Sequence, residues 1–166
     1  MCSSDLEDFG ADLVVGLGGG KVIDTAKIIS DKLAVSNMII PTLASSDAPC
    51  SAIAVLYTSD GNFQRGVKIK NNPQVVLVDT EVIAHAPVRL LVAGMGDALA
   101  TWFEAESSRQ TGAANFTLTG DSGSMTAYAL ARLCYDTLIK YGLAAKISCE
   151  TQAVTPALEK VVEANI

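Results

Sequence analysis

Apolar and polar positions along this chain follow two different periods, and the change between them divides the sequence. Up to about Pro87, short apolar runs alternate with a helical stretch: Leu13-Val14-Val15, a helix from Lys21 to Leu33, then Met38-Ile39-Ile40, Ala52 to Thr58 and Val75 to Val78. The short runs predict strands of a largely parallel sheet. Turn residues Gly61-Asn62 and Asn71-Asn72-Pro73 flank a further short strand at Val67 to Ile69, so an antiparallel ribbon is expected among the other strands. After Arg89 no strand pattern remains. Leu90 to Arg109, Ser122 to Tyr141 and Val154 to Ala164 carry helical spacing, with Gly94, Gly96, Gly120 and Gly142 expected at the breaks.

The pattern predicts an α/β fold: a partial α/β domain over residues 1–88, followed by the opening of an all-helical domain over 89–166. No internal repeat and no low-complexity tract is present. Thr155-Pro156 starts the last helix well, but no glycine or lysine closes it, which reads as truncation. Met1 to Leu6 do not resemble the entry to a domain. One codon choice for Cys2-Ser3-Ser4-Asp5-Leu6 spells a common sequencing-adapter end, so these residues are expected to be an assembly artefact.

Composition narrows the classes of function. Hydrophobic residues make up 49% of the 166 positions, enough for a packed core and too many for a disordered chain. Eighteen acidic against twelve basic side chains give a formal charge of −6, which repels a phosphate backbone and argues against a nucleic-acid partner. Mean hydropathy is +0.33, yet Gly, Asp, Lys and Ser interrupt every apolar run before it reaches membrane-spanning length. Cys2, Cys50, Cys134 and Cys149 are scattered with no C-x-x-C pair, which points to thiols in a reducing cytoplasm. Asp5, Glu7 and Asp8 argue against a signal or transit peptide.

The strongest local motif is Gly16-Leu17-Gly18-Gly19-Gly20-Lys21, between an apolar run and a helix. Glycines let a backbone approach a ligand closely, and the N–H groups and dipole of the next helix favour a pyrophosphate. The spacing fits neither the usual dinucleotide fingerprint nor the Walker loop. A tight turn without ligand explains the glycines equally well.

Gly18-Gly19-Gly20-Lys21-Val22-Ile23-Asp24-Thr25-Ala26-Lys27 resembles the G-G-G-x-x-x-D-x-x-K signature of the iron-containing alcohol dehydrogenase family. Pro41-Thr42-Leu43-Ala44-Ser45-Ser46-Asp47-Ala48-Pro49, Asn71-Asn72-Pro73, Val78-Asp79-Thr80 and Gly94-Met95-Gly96-Asp97-Ala98-Leu99-Ala100-Thr101-Trp102-Phe103-Glu104-Ala105 are similar, in the same order, to its glycerol-oxidising members. The resemblance runs from about Leu13 onward. It implies part of a Rossmann-like NAD-binding domain followed by the start of a helical metal-binding domain, both truncated.

By that resemblance Gly18, Gly19, Gly20 and Lys21 cradle the pyrophosphate of NAD, Thr42 and Ser45 contact the cofactor, and Ser51, Ile53 and Tyr57 surround its nicotinamide. On periodicity alone Ile53 and Tyr57 are core residues of a strand. Asp24 and Lys27 belong to the signature, but an i, i+3 charge pair on a helix face accounts for them without a ligand. Asp47 resembles a residue that hydrogen-bonds a substrate hydroxyl; otherwise it is a turn-forming aspartate. Asp97 follows Gly94-Met95-Gly96, where composition suggests an N-cap. The resemblance makes it the carboxylate ligand of a catalytic zinc, a donor set that can also hold iron or manganese. The two histidine ligands of the family have no counterpart within these residues, and His85 is read as a loop histidine.

The function implied is oxidation of glycerol to dihydroxyacetone by a cytoplasmic, homo-oligomeric enzyme using NAD and zinc, of which this chain is a fragment. A dehydroquinate-synthase-like lyase shares the architecture, but needs basic residues for a phosphorylated substrate, and Ser45 to Ser51 contains none. A non-catalytic truncated fragment that binds nucleotide weakly is the third reading.

Overall fold

The computed structural model describes residues 8–113 and 123–166. The suspected artefact at Met1 to Leu6, the expected break at Gly120 and the expected helix start at Ser122 lie outside them. The chain forms two compact units, one of Met1–Thr42 with Ala48–Asp79, the other of Leu43–Asp47 with Thr80–Ile166.

In the first unit β1 (Leu13–Gly18), β2 (Ser36–Pro41) and β5 (Val75–Val76) form a parallel sheet in the order β1-β2-β5. Leu13 pairs with Ser36 and Gly18 with Pro41, so β1 runs three residues past the apolar run that announces it. Between β1 and β2 the chain forms α1 (Gly20–Leu33). Ile23, Ala26, Lys27 and Ser30 recur at helical spacing and are buried. Ile23 and Ala26 pack with Ile39 of β2, flanked by Val14, Ala48 and Val76. Full burial of a side chain such as Ile23 contributes roughly 1.5–3 kcal/mol. Gly16 faces the helix, and a Cβ there would lie 2.7 Å from the Ala26 Cβ.

β3 (Ile53–Tyr57) and β4 (Phe63–Lys68) form the antiparallel ribbon, with Ile53 opposite Lys68 and an irregularity at Leu56/Tyr57. β4 is twice the length suggested by Val67 to Ile69, because Phe63 and Arg65 also pair with β3, opposite Tyr57 and Leu56, while staying exposed. β5 is shorter than the run from Val75 to Val78, although Leu77 still donates to the Ile39 carbonyl at 2.9 Å.

The second unit is helical: α2 (Thr80–Ala84), α3 (Val88–Thr111), α4 (Met125–Glu150) and α5 (Pro156–Asn165). Ser124 caps α4 by accepting from the Ala127 N–H, and Thr155 caps α5 by accepting from that of Leu158, with Pro156 at the first helical position. Leu158, Val161 and Val162 of α5 are fully or almost fully buried. Trp102 of α3 meets Tyr128 and Tyr135 of α4 with tilted rings, and Phe103 meets Tyr135 edge-on, at ring separations of 5.1–6.2 Å. Among the described residues, no helix is long and apolar enough to cross a membrane.

Three glycines expected at breaks lie inside helices instead, Gly94 and Gly96 in α3 and Gly142 in α4. Close packing explains two of them. A Cβ on Gly94 would sit 2.1 Å from the Ala44 carbonyl oxygen, and one on Gly142 would lie 3.2 Å from the Met95 sulfur. A glycine inside a helix costs about 1 kcal/mol against alanine, a cost that such close approach offsets. Asp97 is therefore an interior residue of α3, not an N-cap.

Candidate functional site

The glycine motif divides by role. Gly16 is a packing residue of the β1–α1 contact. Gly18 has φ +153°, a region L side chains rarely adopt, and turns the chain out of β1. Gly19 is the N-cap of α1 and brings no side chain to the helix start; its carbonyl accepts the N–H groups of Val22 and Ile23. Gly20 opens on free space, with nothing within 4 Å of the point where a Cβ would stand. These features leave a helix N-terminus uncapped by side chains at the end of a parallel strand, an arrangement suited to an anion.

Two of the expected cofactor residues border this corner in the first unit. Thr42 follows β2 and donates its backbone N–H to the Gly18 carbonyl at 3.1 Å. Lys21 is exposed, with its ammonium 5.5 Å from the centre of the Tyr57 ring. Tyr57 is 44% exposed at the end of β3, so the strand-core reading of this side chain is corrected: its ring lies at the surface. Ser51 and Ile53 are half-buried at the start of β3. Ser45 is half-buried in the Leu43–Asp47 loop of the second unit.

Lys27 is the residue whose environment sequence reasoning missed. It and Asp24 lie on the face of α1 turned to the interior, both buried and Lys27 completely so. The Lys27 ammonium donates to the Ala48 carbonyl, to the Ser51 hydroxyl oxygen at 3.2 Å and to the Ile53 carbonyl at 2.9 Å. Its burial follows the same helical period as Ile23 and Ser30, which was the available signal.

In the second unit the two carboxylate residues come together. Asp47, exposed, directs its backbone N–H to Oδ2 of the exposed Asp97 at 3.2 Å. Ala44, three residues before Asp47, is buried; its carbonyl accepts from the Asn165 amide at 3.3 Å and lies against Gly94. Asp47 also borders an open groove of about 800 Å³ that Thr101, Cys134 and Asn165 help to line. His85 follows α2, exposed, with Nδ1 2.9 Å from the Glu81 carbonyl oxygen.

The described residues do not by themselves make a metal centre. A catalytic zinc takes about three protein ligands, whereas no group of three His, Cys, Asp or Glu side chains gathers among the described residues. Asp97 supplies a single carboxylate, and its near neighbour Asp47 offers it an N–H.

The sequence model of iron-containing alcohol dehydrogenases matches residues 2–87. A glycerol dehydrogenase from Thermotoga maritima is 62% identical over 162 residues, an alignment covering 98% of this chain and 44% of that protein. The crystal structure of a probable glycerol dehydrogenase from Sinorhizobium meliloti superposes with a TM-score of 0.93 at 44% identity, covering 98% of this chain and 45% of the other. That of a glycerol dehydrogenase from Schizosaccharomyces pombe gives 0.91 at 42% identity, with 98% and 42% covered. The chain thus spans less than half the length of these relatives.

Proposed function

The chain belongs to the iron-containing alcohol dehydrogenase family, and we propose that the enzyme carrying it oxidises glycerol to dihydroxyacetone with NAD. The 62% identity to a protein named glycerol dehydrogenase carries this reading. Bound NAD would supply the chemistry of accepting a hydride from the secondary carbon of the substrate. The residues of this chain bind and orient. Gly18, Gly19 and Gly20 bring the N-terminus of α1 to the pyrophosphate, with Lys21 adding an exposed cation beside it. Thr42, Ser45, Ser51, Ile53 and Tyr57 complete the proposed cofactor contacts.

Asp47 is proposed to orient a substrate hydroxyl through its carboxylate while its N–H holds Asp97. Asp97 is proposed as one donor to the metal that the family name implies, zinc being preferred over iron or manganese. One carboxylate does not constitute the site, and the remaining donors would come from outside these residues. A small polyol substrate, a homo-oligomeric assembly and a cytoplasmic location belong to the same proposal.

The test is steady-state NADH formation by the enzyme carrying this chain, with glycerol, 1,2-propanediol and other small diols. Glycerol-dependent reduction of NAD is expected. No NAD reduction with any polyol, from folded and metal-supplemented protein, overturns the reading.

A further inference from the structure

Lys27 is a lysine without contact to solvent that bridges α1 and the segment leading into β3. The Ala48 carbonyl, the Ser51 hydroxyl and the Ile53 carbonyl, which accept from its nitrogen, span the whole turn from residue 48 to residue 53. Two carbonyl oxygens and a hydroxyl oxygen around one nitrogen match the three N–H donors of a lysine ammonium. A buried cation is costly unless its hydrogen bonds are satisfied, so this site commits α1 and the turn to one arrangement.

The same helix fixes the other end of the ribbon. Asp31, one turn beyond Lys27, accepts from the Lys70 N–H at 3.0 Å just after β4. An isolated two-stranded ribbon is marginal in water. Here it is anchored at both ends on α1, and the far end of β3 brings Tyr57 to Lys21.

The chemistry at Ser51 goes further than anchoring. Its oxygen accepts from Lys27, which strengthens the hydroxyl as a donor, because hydrogen bonds in a chain polarise one another. Within the turn its proton faces the Ile53 carbonyl at 3.5 Å, the outer limit of a hydrogen bond. A contact that long leaves the Ser51 proton open to a closer acceptor. We propose that Lys27 is the positioning residue of the nicotinamide end of the site, holding Ser51 as a polarised donor for the carboxamide oxygen of the cofactor. This rests on the reading that Ser51 and Ile53 lie beside the nicotinamide.

The experiment compares two ligands that share the pyrophosphate and adenosine and differ in the nicotinamide: NAD and ADP-ribose. Calorimetric dissociation constants are measured for the enzyme carrying this chain and for its Lys27→Met and Ser51→Ala variants. Lys27→Met is expected to weaken NAD by about tenfold, the loss of a charge-assisted network, and to leave ADP-ribose within about twofold. Ser51→Ala keeps the lysine and its two carbonyl acceptors, so it tests the same point even where Lys27→Met does not fold, with the same selective loss expected. Parallel weakening of both ligands, or no weakening of NAD, overturns the proposal for Lys27 and leaves the cofactor reading standing. Failure of the unsubstituted enzyme to bind either ligand overturns the cofactor reading itself, and the role of Lys27 with it.

Discussion

The backbone N–H of Asp47 donates to Oδ2 of Asp97 at 3.2 Å, joining residues fifty apart in sequence. One is in a loop and the other is inside a helix, and neither local context suggests the contact. The loop is held from behind, where Gly94 and the Asn165 amide both meet the Ala44 carbonyl. α3, α5 and the Leu43–Asp47 segment therefore set the relation between the two aspartates jointly.

Asp47→Asn preserves the backbone N–H and hence the hold on Asp97, while removing the carboxylate charge. In the enzyme carrying this chain, kcat/KM for glycerol is expected to fall by about tenfold or more, the loss of a hydrogen bond to a charged group. NAD affinity should stay within about twofold, since only that group is altered. Unchanged glycerol kinetics would reduce Asp47 to a loop former, a task asparagine performs as well.

Gly94→Ala and Gly96→Ala separate close packing from helix propensity in one helix. The first places a Cβ 2.1 Å from a carbonyl oxygen; the second places it in open space. Denaturant unfolding should show a loss of about 1–3 kcal/mol or more for Gly94→Ala from overpacking. A gain of up to about 1 kcal/mol is expected for Gly96→Ala. Equal effects at the two positions would contradict the packing of α3 on the Ala44 segment.

Gly16→Ala and Gly20→Ala divide the glycine motif in the same manner. A Cβ at Gly16 meets the Ala26 Cβ at 2.7 Å, whereas one at Gly20 meets nothing. The first substitution should destabilise by about 1–3 kcal/mol. The second should leave the melting temperature nearly unchanged and raise the NAD dissociation constant several-fold by blocking backbone approach. Intact NAD affinity in a stable Gly20→Ala protein would remove the helix start from the site.

The sequence made the longer helices, the parallel strands and the ribbon legible because each repeats a period that its buried face requires, whereas the five residues of α2 are too few to show one. Ile23, Ala26 and Ser30 announce α1, and Thr155-Pro156 announces α5. It misled where one residue type serves two purposes. A glycine inside a helix marks either a break or a close approach, and only the Ala44 carbonyl and Met95 tell which applies at Gly94 and Gly142. A lysine at helical spacing looks like a surface charge until the acceptors from residues 48–53 are folded onto it. The Asp47–Asp97 contact is a tertiary pairing through a backbone N–H, which leaves no trace in residue type.

Thiol reactivity should follow burial. The Cys50 side chain belongs to an exposed residue, while Cys149 is 3% exposed and burial pushes its thiol up, as it does that of Cys134. Raising pH therefore activates the buried thiols later than an exposed one. Iodoacetamide labelling at pH 8 followed by peptide mass spectrometry should find Cys50 modified well before Cys149. The opposite order would show that α4 does not pack as described around Cys149.

Residues 1–166 as a polypeptide are expected not to hold zinc tightly. Removing the hydration shell of the ion takes about three protein donors in a shaped site, and the described residues offer Asp97 alone at a family ligand position, with no third donor gathered anywhere among them. The next best pair is His85 with Glu81, one helical turn apart and both exposed. There Nδ1 faces the Glu81 carbonyl as a donor, leaving Nε2 as one open nitrogen ligand. Such a pair gives weak, solvent-competed binding that Asp97→Ala leaves unchanged and His85→Ala removes. Isothermal titration of zinc into the polypeptide at pH 7, repeated with each substitution, distinguishes these cases. One ion bound per chain more tightly than about 1 μM and lost on Asp97→Ala would mean that a complete metal centre assembles around Asp97 within these residues.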